Sequence, residues 1–122
     1  TTAAGVEKRI LALNASDDKW LDKAQKTLQT GSPISANLVF KQLHNGQSMT
    51  LAQCFNMELV MSCRCGEFGE FQEGVRALLV DKDHQPNWRY PTIESVPNEI
   101  MVWFFDSPWQ ENEHPLSTLG KE

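Results

Sequence analysis

"EGVRALLVDKDHQPNW", residues Glu73 to Trp88, changes character at its midpoint. Up to Val80 it is apolar at helical spacing. Val75, Leu78 and Leu79, together with the preceding Phe71, fall on one face and predict a packed helix. Gly74 in that helix costs roughly 1 kcal/mol of propensity, which predicts a close approach by a neighbouring helix. Asp81, Lys82 and Asp83 then end the helix in charge, Pro86 forbids its continuation, and Trp88 closes the stretch. Residues 81–91 hold two prolines and read as an extended crossing.

Working outward, the same grammar recurs. Val6, Ile10 and Leu11 predict a first helix ending near Asn14. Ser16 is the expected N-cap of a second, with Asp17 and Asp18 at the positive end of its dipole and Gly31 as its stop. Ser32 and Pro33 start a third, whose apolar stripe is Ala36, Val39, Phe40 and Leu43, closing at Gly46. Thr50 and Gln53 form a capping-box pattern for a fourth, with Leu51, Cys54, Phe55 and Leu59 as its stripe and an end near Gly66. Pro97 begins a last helix carrying Ile100, Trp103 and Phe104. No segment alternates as a strand does. The expectation is all-α, a lobe of five to six helices over residues 1–106 with an irregular tail at 107–122.

Composition narrows the function classes. A chain of 122 residues fits one small domain able to bury roughly two-thirds of its unfolded surface. A formal net charge of -5 and the lack of a basic cluster argue against nucleic acid. No apolar run approaches the ~20 residues of a membrane span. Cys63 and Cys65, two apart on a helix, point to nearly opposite sides, so no metal site is predicted. With Cys54 they read as small apolar side chains in a reduced, cytoplasmic protein. The chain opens on Thr1 rather than Met, which reads as a processed or excised piece.

Chemistry-bearing residues are few. Glu58 sits on the fourth helix's apolar stripe, where a carboxylate is either a general acid or the partner of an arginine. Burying it unpaired would cost several kcal/mol, so an ion pair with Arg76 is predicted. Lys82 lies at the negative end of a helix dipole between two aspartates. Trp88 reads as a packing anchor more readily than as a stacking platform. No Ser or Cys has an evident base nearby.

At these residues a resemblance appears. "SPIS" (32–35), "MTLAQCFNMELVMSCRC" (49–65), "EFQEGVRALLVDKDHQPNW" (70–88) and "FFDSPWQENEHPLSTL" (104–119) resemble the C-terminal region of the 3-hydroxyisobutyryl-CoA hydrolase-like branch of the crotonase (enoyl-CoA hydratase/isomerase) superfamily. The order EGVRA, DKD, PNW carries most of the likeness. Ala36-Asn37 departs from the Leu-Lys pair usual after "SPIS". The resemblance implies that the catalytic core, a sheet-rich domain N-terminal to this region, is absent from the chain, so no catalytic residue is assigned here. It implies a parent hydrolysing a 3-hydroxyacyl-CoA of valine catabolism, with coenzyme A thioester as substrate and no cofactor in this chain. The region after the fifth helix often lies near the CoA nucleotide in that superfamily, which makes Lys82 and Trp88 the implied CoA contacts.

Two other readings stay open: another acyl-CoA chemistry of the same family, or a non-catalytic helical interaction module. The expected partners are the chain's own crotonase domain and, through Trp103, Phe104, Phe105 and Trp109, a second copy. Those four crowd too many rings into one short helix and its exit for a single stripe, predicting an exposed apolar interface.

Overall fold

The computed structural model describes residues 1–121; Glu122, the last residue of the tail, lies outside them. Six α-helices follow in order: α1 (Ala3–Leu11), α2 (Lys19–Thr30), α3 (Pro33–Gly46), α4 (Leu51–Phe68), α5 (Glu70–Val75) and α6 (Asn98–Phe105). α5 widens into a π-helical turn, Arg76–Val80. Among the described residues there is no strand, and the all-helical expectation holds.

The caps show why the helices lie where they do. Thr50 and Gln53 form the reciprocal capping box, Gln53 N–H to Thr50 Oγ1 at 3.3 Å and Thr50 N–H to Gln53 Oε1 at 2.8 Å. Ser32 caps α3, accepting from Ser35 N–H at 3.1 Å. Two boundaries differ from expectation. Asp18, not Ser16, caps α2, because its carboxylate accepts from both Trp20 and Leu21 amides at 3.0 Å and adds a charge that the dipole favours. α4 runs past Gly66 to Phe68, and Gly69 ends it at φ 94°, a left-handed geometry that side chains resist.

Ile34, Leu38, Met61, Met101 and Phe104 form the core, ringed by Met57, Cys65, Phe68, Tyr90, Trp103 and Phe105. α6 crosses both α3 and α4. Enclosed on two sides, its Phe104 is 1% exposed, and burying a Phe fully is worth about 1.5–3 kcal/mol. Of the four rings expected at an interface, Phe104 is therefore core, while Trp103, Phe105 and Trp109 are half-buried. Trp103 stacks edge-on to Phe104 at 5.1 Å under the Arg64 guanidinium at 4.6 Å, and Lys41 lies over Phe105 at 5.4 Å. Trp109 meets His114 of the tail edge-on at 4.9 Å. The tail itself follows bends and turns, held to α4 by His114 Nε2 against Asn56 O at 3.2 Å.

Three stripes expected inside are outside. Val39 and Leu43 of α3, Leu51 and Phe55 of α4, and Phe71, Leu78 and Leu79 beyond them are all exposed. Each helix buries a neighbouring register instead: Ile34 and Leu38, Val60 and Met61, and Ala77.

Candidate functional site

The opening stretch folds back on itself as a clasp. Glu70 and Glu73, three apart on α5, face the extended crossing, whose Asn87 and Arg89 amides point the same way. Glu73 Oε1 accepts from Asn87 N–H at 2.8 Å and Glu70 Oε1 accepts from Arg89 N–H at 2.9 Å. Between them Trp88 turns inward, donates its indole N–H to Thr30 O at 3.0 Å, and lies against Gly74. A Cβ at Gly74 would stand 3.3 Å from the ring's Cη2. What Gly74 admits is thus the Trp88 ring, not a neighbouring helix. Glu70 also accepts a short hydrogen bond from Ser32, tying the start of α3 to the start of α5.

Arg76 is the centre of the charged knot. It makes a two-pronged contact with Glu73 at 2.7 and 2.9 Å, and one of its nitrogens holds both Asp81 and Asp83 at 2.7 Å. It donates to Gln85 O at 3.2 Å as well. Such bidentate pairs are the strong form of charged hydrogen bond. The predicted Glu58–Arg76 pair does not form. Glu58 lies exposed toward α3, accepting from Gln42 Nε2 at 2.8 Å, while α5 supplies Arg76 with a carboxylate one turn away, where little side-chain freedom is lost.

The knot shapes the tip beyond it. Asp81 N–H reaches Arg76 O at 2.8 Å, the i to i+5 closure of the π turn, and such wide turns recur at functional sites. Lys82 and His84 then adopt φ 54° and 56°, costing roughly 1–2 kcal/mol each in non-glycine residues.

Arg76 hydrogen bonding, reinforced by the Asn87 amide, pulls the Glu73 carboxyl from its ordinary 4.5 down to about 2. Asp83 is lowered too, by Arg76 and the Gln85 amide. A depressed carboxyl stabilises the fold fully above its unfolded value and loses that contribution as pH falls through its folded value. The thermal midpoint should therefore decline between pH 4.5 and about 2, with a shallower decline in Glu73→Gln. Circular-dichroism melts across that range check this; equal slopes for both proteins would refute it.

Beside the clasp lies a groove of about 640 Å³, a size common for ligand pockets. Its walls are Ile34, Phe71, Val75, Leu78, Leu79 and Phe104, with Ser32, Glu70 and His84 among its polar lining. Cys65 also lines it; burial first, then the Glu70 charge, pushes its thiol pKa up, away from the reactive thiolate. The groove offers an open, mostly apolar wall rather than an activated nucleophile. Sequence reasoning singled out Arg76, Lys82 and Trp88. Arg76 centres the charged knot and Trp88 packs on Gly74. Lys82 lies exposed at the tip, touching neither of them through a hydrogen bond or ion pair among the described residues. Sequence reasoning missed Glu70, Glu73 and His84. The i, i+3 spacing of the two glutamates opposite the i, i+2 amides was the available signal.

A helical lobe with this clasp is matched by the family model described as enoyl-CoA hydratase/isomerase over residues 1–105. The chain belongs to the enoyl-CoA hydratase/isomerase family. It is similar to the mitochondrial 3-hydroxyisobutyryl-CoA hydrolase of Danio rerio, 35% identical over 106 residues, covering 87% of this chain and 28% of that protein. The Dictyostelium discoideum counterpart is 39% identical over 90 residues, covering 73% and 24%. Small ribosomal subunit protein mS47 of Arabidopsis thaliana is 35% identical over 94 residues, covering 74% and 23%. An enoyl-CoA hydratase crystal structure from Rhodobacter sphaeroides 2.4.1 matches with a TM-score of 0.76 at 27% identity, over 88% of this chain and 32% of that one. The chain spans about a quarter of the length of the curated relatives it matches. The hydrolases' names place those proteins in mitochondria, against the cytoplasmic expectation for this chain. Among the described residues no helix is long and apolar enough to cross a membrane.

Proposed function

We propose that the chain is the helical lobe of an acyl-CoA thioester hydrolase acting on 3-hydroxyacyl-CoA. It packs on a catalytic domain and offers the tip at Lys82 to coenzyme A. The observation that carries this is the apolar ridge of Phe71, Leu78, Leu79 and Val80, each more than half exposed, beside a groove in a chain that matches about a quarter of its hydrolase relatives. Contiguous exposed apolar patches of this kind mark surfaces that are covered in the working protein. Lys82 supplies a cation for a phosphate, and Trp88 acts from behind the tip, since its ring faces Gly74 and Thr30.

The gene upstream of Thr1 tests the reading. A crotonase-type segment there, whose full-length product hydrolyses 3-hydroxyisobutyryl-CoA, supports it; a start codon or an unrelated domain overturns it. The 122-residue chain alone should show no thioester hydrolysis above the solution background. A second reading, an assembly role without turnover, is favoured by the likeness to mS47. A full-length product that is inactive on acyl-CoA and co-sediments with small ribosomal subunits would favour it.

A further inference from the structure

Lys82 stands between two aspartates, yet among the described residues it makes no ion pair: both neighbouring carboxylates are bonded to one nitrogen of Arg76, each at 2.7 Å. We infer that Arg76 is a positioning residue. It keeps Asp81 and Asp83 off Lys82 and sets the tip in its left-handed turns, so that the ammonium is available to an anionic ligand that Arg76 itself does not touch.

Three features bear on this. Arg76 holds Asp81 twice, by its carbonyl at the amide and by its guanidinium at the carboxylate. That double hold leaves Asp81 little freedom to turn toward its neighbour. Asp83 is likewise fixed at both ends of its carboxylate, by Arg76 and by the Gln85 amide at 2.8 Å. Two non-glycine residues with positive φ, Lys82 and His84, flank Asp83, and such conformations persist only where the surroundings impose them. His84 N–H closes the loop onto Ala77 O at 3.0 Å. Without the guanidinium the Asp81 carboxylate loses its partner and Asp83 keeps only the Gln85 amide. Both are then freer to neutralise the adjacent ammonium, and a cation neutralised by its own neighbours is a poor anion receptor. Lysine at position 76 would not substitute, because a point charge cannot engage Glu73, Asp81, Asp83 and the Gln85 carbonyl in one plane.

The inference rests on the reading of Lys82 as the coenzyme A contact, and the experiment separates the two. In the isotopically labelled 122-residue chain, three-bond amide couplings report φ at Lys82 and His84, while titration with coenzyme A reports affinity. Arg76→Gln and Arg76→Lys should both lose the left-handed couplings. Arg76→Gln and Lys82→Gln should each weaken coenzyme A about tenfold, the loss of one charge-assisted contact. Removing the competing carboxylates in the Arg76→Gln background, with Asp81→Asn and Asp83→Asn, should restore most of that affinity, which a merely structural role would not do. Unchanged couplings in both Arg76 variants, or no recovery in the triple variant, would overturn the positioning role. Altered couplings with an affinity indifferent to Lys82→Gln would instead overturn Lys82 as the coenzyme A contact.

Discussion

Phe104→Ala should cost the lobe about 3–5 kcal/mol, the range for truncating a buried aromatic ring. The ring is 1% exposed and touches the other large side chains of the core, 5.3 Å from Phe68 and 5.1 Å from Trp103 between centroids. Little can collapse into the space, because α3, α4 and α6 meet there and their backbones are fixed by one another. A small domain holds only about 5–15 kcal/mol in total, so the variant should be near the edge of folding at room temperature. Val102→Ala is the control. It lies two residues away on the same helix but is exposed, and should move stability by less than about 1 kcal/mol. Guanidinium denaturation of the two variants decides the matter. Equal midpoints would mean that the core is not where the structure places it.

Trp88→Ala should be the second most damaging change, at about 2–3 kcal/mol, less than a fully buried ring because Trp88 keeps part of its surface in water. Two losses combine: the ring's packing on α5, and the hydrogen bond from its indole N–H to Thr30 O at 3.0 Å. Trp88→Phe removes the second while keeping much of the first, and should fall between. The pairing with Gly74 gives a sharper test. In the native protein an added Cβ meets Cη2 at 3.3 Å, and the ring cannot slide away while its N–H is held. Gly74→Ala should therefore gain little there, but up to about 1 kcal/mol of helix propensity once the ring is gone. A double-mutant cycle measures this coupling. Strict additivity would show that ring and glycine do not touch in solution.

These contacts show how much of the site the sequence disclosed. Gly74 inside a helix and Trp88 after Pro86 each signalled a special backbone or packing role, but not that they met each other. Arg76 was legible as an ion-pair residue. Its partners were not, since charge alone does not say which carboxylate is near. Glu58 offered the longer-range pairing, whereas Glu73, Asp81 and Asp83 offered local ones that sacrifice less side-chain freedom. Lys82 was the apparent centre of the DKD knot, and only the folded backbone, by bringing the Asp81 and Asp83 carboxylates to Arg76, moved the centre elsewhere.

What the sequence determined by itself was the helical plan. The apolar spacing, the Thr50–Gln53 capping box, Pro33 after Ser32 and the absence of alternation act within a few residues of one another. Their energetics need no knowledge of the rest of the fold. Even the misplaced ends were local choices, Asp18 over Ser16 and Gly69 over Gly66. Which stripe of each helix became the interior was decided by tertiary structure alone. α4 presents Leu51, Phe55 and Leu59 on one side and Met57, Met61 and Phe68 on another, and both are apolar at helical spacing. α6, lying across α3 and α4, covers the second set and leaves Leu51 and Phe55 exposed. The hydrophobic effect rewards any apolar area removed from water without preferring one face. The choice therefore belongs to whichever element arrives to cover it, and a helix with two apolar faces does not record which one that is.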